Sequence, residues 1–134
     1  MANLLKLSKA TALGLHTMVM ISKQDHPVSA APMAKHLSAS EAHVFKVLQQ
    51  LVRAGLLRSK RGPHGGYVLA RPADDITLMD VYRVFEGPMR NDGCLLTQPV
   101  CGELDCILGT LVQDVRTKVI EHFSSTTLAK AGKS

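Results

Sequence analysis

Cys94, Cys101 and Cys106 are the only cysteines in this chain of 134 residues, and they fall within a window of thirteen. Thiolates are soft ligands suited to iron-sulfur clusters or zinc, and a loop can fold so that several converge on one centre. The C-x6-C-x4-C spacing lacks the paired C-x2-C or Cys/His elements of a zinc finger. Three thiolates leave a four-ligand site one short, and Asp92, Glu103, Asp105, His16 and His122 are the candidates to complete it. A second chemistry uses the same residues without metal: two of the thiols form a disulfide or meet an oxidant. A third, catalysis by a cysteine nucleophile, needs a thiolate paired with a base. His16, His26, His36, His43, His64 and His122 show no spacing that picks out such a base, so no enzymatic activity is expected.

Another set of polar residues lies upstream. Ser40, Glu41, Ala42, His43 and Lys46 open an amphipathic segment that Arg53 closes, and Arg58, Lys60, Arg61 and His64 surround a glycine-rich turn. A helix lying in the major groove of DNA reads base edges with its N-terminal residues, while nearby cations hold phosphates. An arginine at the tip of an adjacent hairpin suits a narrow minor groove, where the negative potential is enhanced. The net charge of +5 permits a polyanionic partner without specifying one. An adaptor that uses only its C-terminal helix is the reading that DNA binding would exclude.

The elements that must position these groups follow from periodicity. Ser8 caps a helix over 9–21, with Ala12, Leu15, Met18 and Val19 at helical spacing. Ser29 can cap a second, ending near Leu37. The turn Ser38-Ala39-Ser40 leads to a third over about 41–54, with Val44, Val47, Leu48 and Leu51 inward and Gly55 placed to stop it. Short strands over 56–59 and 67–70 enclose Lys60-Arg61-Gly62-Pro63-His64-Gly65-Gly66, the pattern of a wing. Thr77 caps a helix over 78–85 that Gly87-Pro88 ends.

Residues 89–102 show neither helical nor strand period, and a connection of that length is uncommon unless it has a function. Beyond it, Leu104, Ile107, Leu108, Leu111, Val112, Val115, Val119, Ile120 and Phe123 form one stripe with no obvious partner inside so small a chain. That favours pairing with the same helix of a second copy, which would also present two readers to a two-fold operator. The division expected is thus a winged helix-turn-helix DNA-binding domain over 1–88, a cysteine-bearing sensor loop over 89–102, a dimerisation helix over 103–128 and a disordered tail over 129–134. Hydrophobic content of 46% with 4% aromatics fits a mainly helical fold with a small β-hairpin. No signal-peptide pattern or membrane span is read, so a cytoplasmic protein is expected.

The run from Gly55 to Pro72, with its R-G-P-x-G-G-Y wing, followed by Ile76-Thr77-Leu78-Met79-Asp80-Val81 and Phe85-Glu86-Gly87-Pro88, resembles the Rrf2 family of bacterial transcription regulators. The resemblance extends from Leu7-Ser8-Lys9 to Thr127-Leu128-Ala129. It implies a winged-helix homodimer, often a repressor, that binds palindromic double-stranded DNA. Its cluster-binding members carry a [2Fe-2S] or [4Fe-4S] centre on three cysteines and sense nitric oxide, iron or redox state. By position, Arg61 matches the wing arginine that enters the minor groove, and Cys94, Cys101 and Cys106 match the cluster ligands. The positions that hold a histidine in some members and a carboxylate in others fall on Gly109 and Ala12, so the resemblance supplies no fourth ligand.

Overall fold

The computed structural model describes residues 7–89, 107–108 and 110–133. The three cysteines, with Asp92, Glu103, Asp105 and Gly109, lie outside the described residues, as do most of the expected sensor loop and the first residues of the expected dimerisation helix.

Three helices come first: α1 (Lys9–Ser22), α2 (Ala30–His36) and α3 (Glu41–Arg53). A hairpin of β1 (Leu57–Lys60) and β2 (Gly66–Leu69) follows, then a 3-10 turn (Ala73–Asp75), α4 (Leu78–Glu86), α5 (Leu111–Ser125) and α6 (Leu128–Ala131). The strands pair antiparallel with Leu57 opposite Leu69 and Lys60 opposite Gly66. This is the mainly α fold with a small hairpin that the periodicity implies.

Most start signals act as their chemistry dictates. The Ser8 hydroxyl accepts from the Thr11 amide at 3.1 Å, and Thr77 and Asp80 form a reciprocal capping box at the head of α4. Ser29 occupies the cap position of α2 but makes no side-chain cap bond. Gly55, at φ +80°, ends α3 in the left-handed region open to glycine.

The core gathers inward faces of α1, α2, α3 and α4 with the hairpin and Leu128. Val44, Val47, Leu48 and Leu51 are all buried, as the α3 stripe requires. The inward face of α1 differs from expectation: of Ala12, Leu15, Met18 and Val19 only Met18 is fully buried, with Thr11, Leu13, Gly14, Thr17 and Ile21. This helix meets α3, α4, α6 and β2, so small residues are buried on flanks where a larger side chain would not fit. A Cβ on Gly14 would collide with the Phe85 ring.

The C-terminal region departs most. Within the helix expected over 103–128, the described residues 107–108 and 110 are turn, followed by α5, a break at Thr126-Thr127, and α6. Of the expected disordered tail over 129–134, the described residues 129–133 are instead the rest of α6 and a turn. The Thr127 hydroxyl caps α6 by accepting from Lys130 N at 3.2 Å, Leu128 is fully buried, and an antiparallel bridge joins Thr127 to Thr77. Leu78 N donates to Thr126 O and Leu128 N to Ile76 O, both at 2.9 Å. Backbone pairing therefore holds the segment down despite its small polar side chains.

Candidate nucleic-acid interface

The turn between α2 and α3 closes through Ser38, at φ +52°. Ser40 then heads α3, and its hydroxyl accepts from the His43 amide at 3.1 Å. Capping occupies one of the two lone pairs of the Ser40 hydroxyl, leaving its hydrogen and the other lone pair available. Glu41, Ala42 and Lys46 are exposed, and His43 is half-buried.

Arg58, Lys60, Arg61 and His64 are all exposed on the hairpin and its turn. The turn closes with a bond from Gly65 N to Gly62 O at 2.9 Å. At its base Gly66, at φ +145°, passes so close to Val28 that an added Cβ would stand 2.7 Å from the Val28 carbonyl. That approach lets Val28 and Tyr67 exchange two backbone bonds, of 3.1 and 2.8 Å, so the segment before α2 pairs with the wing.

Tyr67 also ties the wing to α3. Its ring is buried and its hydroxyl accepts from Gln49 Nε2 at 2.9 Å. The helix and the hairpin are thereby braced through one side chain. Between residues 42 and 73 the sequence carries six Lys or Arg and no Asp or Glu, against a net charge of +5 for the whole chain. The segment's formal charge therefore exceeds that of the whole chain, and the excess is concentrated on α3, the wing and the residues around them.

Sequence reasoning missed two features of this surface. Gln49 and Tyr67 are brought together across eighteen positions, a pairing that no local pattern announces. Phe45, half exposed on α3, had a signal available: it stands off the inward stripe of its helix.

As to metal, no group of three or more His, Cys, Asp or Glu among the described residues is arranged to hold an ion. His16 and His122 are both exposed. His16 Nδ1 lies 2.7 Å from the Ala12 carbonyl; donating there leaves Nε2 with its lone pair, the tautomer a metal would require.

A profile of the Rrf2 family, described as "Iron-dependent Transcriptional regulator", matches residues 7–133. The chain belongs to the Rrf2 family. The family is described as one of transcriptional regulators. Protein aau3 of Rhizobium meliloti is 36% identical over 105 residues, covering 78% of this chain and 66% of that protein. The chain spans between about half and two thirds of the length of the curated relatives it matches first. Among solved structures, CymR, the global cysteine regulator of B. subtilis, is 32% identical with a TM-score of 0.79, over 96% of this chain and 97% of that one. T. potens IscR is 29% identical with a TM-score of 0.72, over 96% of this Rrf2-family chain and 87% of the other. CymR and IscR relatives are named HTH-type transcriptional regulators. No helix among the described residues is long and apolar enough to cross a membrane.

Proposed function

We propose that two copies of this chain form a symmetric dimer that represses transcription by binding a palindromic operator, under the control of an iron-sulfur cluster held by Cys94, Cys101 and Cys106. The observation that carries the DNA-binding part is the braced pair of α3 and wing, with all of its cations exposed. Ser40, Glu41, Ala42, His43 and Lys46 face the major groove. Arg58, Lys60 and His64 hold phosphates at its edge, and Arg61 enters the minor groove. Support for the dimer comes from Ile107, Leu108 and Leu111, exposed apolar side chains grouped at the start of α5.

Support for the cluster comes from the three thiols and from the iron dependence named for the family. Bound there, a cluster supplies a group that gains or loses electrons and reacts with small oxidants. The cysteines lie between α4, which packs on the reader, and α5, which continues toward the second copy, so a local change could alter the spacing of two readers. Protein purified without oxygen should absorb visible light and contain iron and sulfide, and its affinity for operator DNA should change when the cluster is removed. Colourless protein free of iron and sulfide overturns this reading.

A second reading, thiol-based control without metal, is favoured by the similarity to CymR, a cysteine regulator by title. Mass spectrometry after mild oxidation distinguishes it: a reversible disulfide in metal-free protein, with a matching change in DNA affinity, selects this reading.

A further inference from the structure

Phe45 is the large apolar side chain on the outer face of α3, and 50% of its surface is open. The inward positions Val44, Val47, Leu48 and Leu51 are at 0 or 1%, so the ring is excluded from the core by geometry. The other exposed large hydrophobics among the described residues are Leu7, near the N-terminus, and Ile107, Leu108 and Leu111, at the start of α5. Phe45 thus stands apart from both groups, among the residues of the reader.

Its direction follows from its helical neighbours. Gln49 lies one turn further along the same face, and Gln49 is the residue that bonds Tyr67 of the wing. Phe45 therefore occupies the wing-side flank of α3, one turn nearer the end that enters the groove, next to Ala42 and Lys46. In the major groove three bases offer only hydrogen-bonding edges, whereas thymine adds a C5-methyl group. A phenyl ring has no donor or acceptor with which to read the former, but it can cover the latter.

We propose that Phe45 reads a thymine by covering its 5-methyl group, selecting T·A over C·G at one base pair of each half-site. The proposal rests on the DNA-binding reading above. The probe is the duplex that the purified protein enriches from a random-sequence pool. Each thymine in turn is replaced by deoxyuracil, which keeps the base pair and removes only the methyl. At one thymine per half-site the wild type should lose about fourfold in affinity, the worth of one buried methyl. Phe45→Ala should bind wild-type and substituted duplexes equally, and Phe45→Leu should retain part of the difference. Thermal unfolding of both variants, at an exposed site, should match wild type. A selected duplex in which no thymine is sensitive, or a sensitive thymine whose penalty persists in Phe45→Ala, overturns the assignment of Phe45 while leaving DNA binding intact. If no duplex is enriched, the DNA-binding reading fails and this inference fails with it.

Discussion

Helices α3 and α5 carry similar numbers of apolar residues, yet they finish their hydrophobic faces in different ways. In α3 the whole inward stripe is buried by the chain's own α1, α2 and hairpin. In α5 only Val112 and Arg116 are buried; Val115, Val119, Ile120 and Phe123 are half-covered, and Leu111 is exposed beside Ile107 and Leu108. Tyr82 of α4 meets Phe123 edge-to-face, with ring centroids 5.9 Å apart. A face complete within one chain is a folding element, whereas an incomplete one is a surface that another body can finish.

The largest test of that contrast is truncation on each side of it. Leu51→Ala removes a fully buried side chain and should cost about 2–5 kcal/mol in chemical denaturation, as core leucines do. Leu111→Ala, at 54% exposure, should change the stability of dilute protein by less than about 0.5 kcal/mol. It should instead shift the sedimentation behaviour toward monomer at concentrations where wild type associates. Equal losses of stability from both variants would erase the distinction.

The same contrast explains what could be read in advance. The stripe of α3 was legible because apolar and polar residues keep a strict helical period between a serine cap and Gly55. The inward face of α1 was not, since Thr11 and Thr17 are buried there with their hydroxyls bonded to Glu86 and the Gly14 carbonyl, and a search for hydrophobic spacing passes over threonine. Along 104–123 the apolar spacing is continuous, yet among the described residues Ile107 and Leu108 are in a turn and α5 starts at Leu111. Apolar residues in a turn and in a helix look alike to a period count. The tail was misjudged because its order comes from bridge bonds to Ile76 and Leu78, and backbone groups carry no sequence signature. Among site residues, the exposed cations of the wing were legible from type and turn context. The brace from Gln49 to Tyr67 was not, because it depends on how two elements pack.

Next in size is the seat of the wing. Gly66→Ala forces a Cβ against the Val28 backbone at a φ of +145°, a conformation strained for any L side chain. It should cost about 1–3 kcal/mol and should loosen the Val28–Tyr67 bridge, raising hydrogen exchange at those two amides. Operator affinity should fall more than binding to non-specific duplex, because the cations remain while their placement is lost. A uniform loss across both duplexes would mean that the wing contributes charge alone.

Tyr67→Phe acts on the brace without touching the ring's packing. Loss of the bond from Gln49 should cost about 0.5–1.5 kcal/mol. Lys60→Ala, by comparison, should leave stability within about 0.5 kcal/mol and reduce the slope of log affinity against log salt by about 1 for each subunit contact removed. The two variants separate positioning from charge: Tyr67→Phe should weaken operator binding with the salt slope unchanged. A changed slope in Tyr67→Phe would show that the hydroxyl had been holding a phosphate contact in place.

The smallest effect lies on the α5 side, where Tyr82 joins α4 to that helix. Burial raises its pKa above the ordinary 10.0, the Glu86 carboxylate pushes it further up, and Arg116 opposes both. A folded state that holds a proton more tightly than the unfolded chain draws stability from it while the group stays protonated. The contribution is complete below about pH 10 and is lost as pH rises from there through the folded-state value. Wild type should therefore lose thermal stability more steeply than Tyr82→Phe above about pH 10, and the two curves should run parallel below it. The other ionisable groups are common to both proteins, so their effects cancel in the difference. Because Tyr82 faces Phe123 and the reader lies elsewhere, hydrogen exchange at high pH should rise first in α5 and leave the Val28–Tyr67 bridge protected. Simultaneous loss at both places would mean that the incomplete face and the complete one unfold as a single unit.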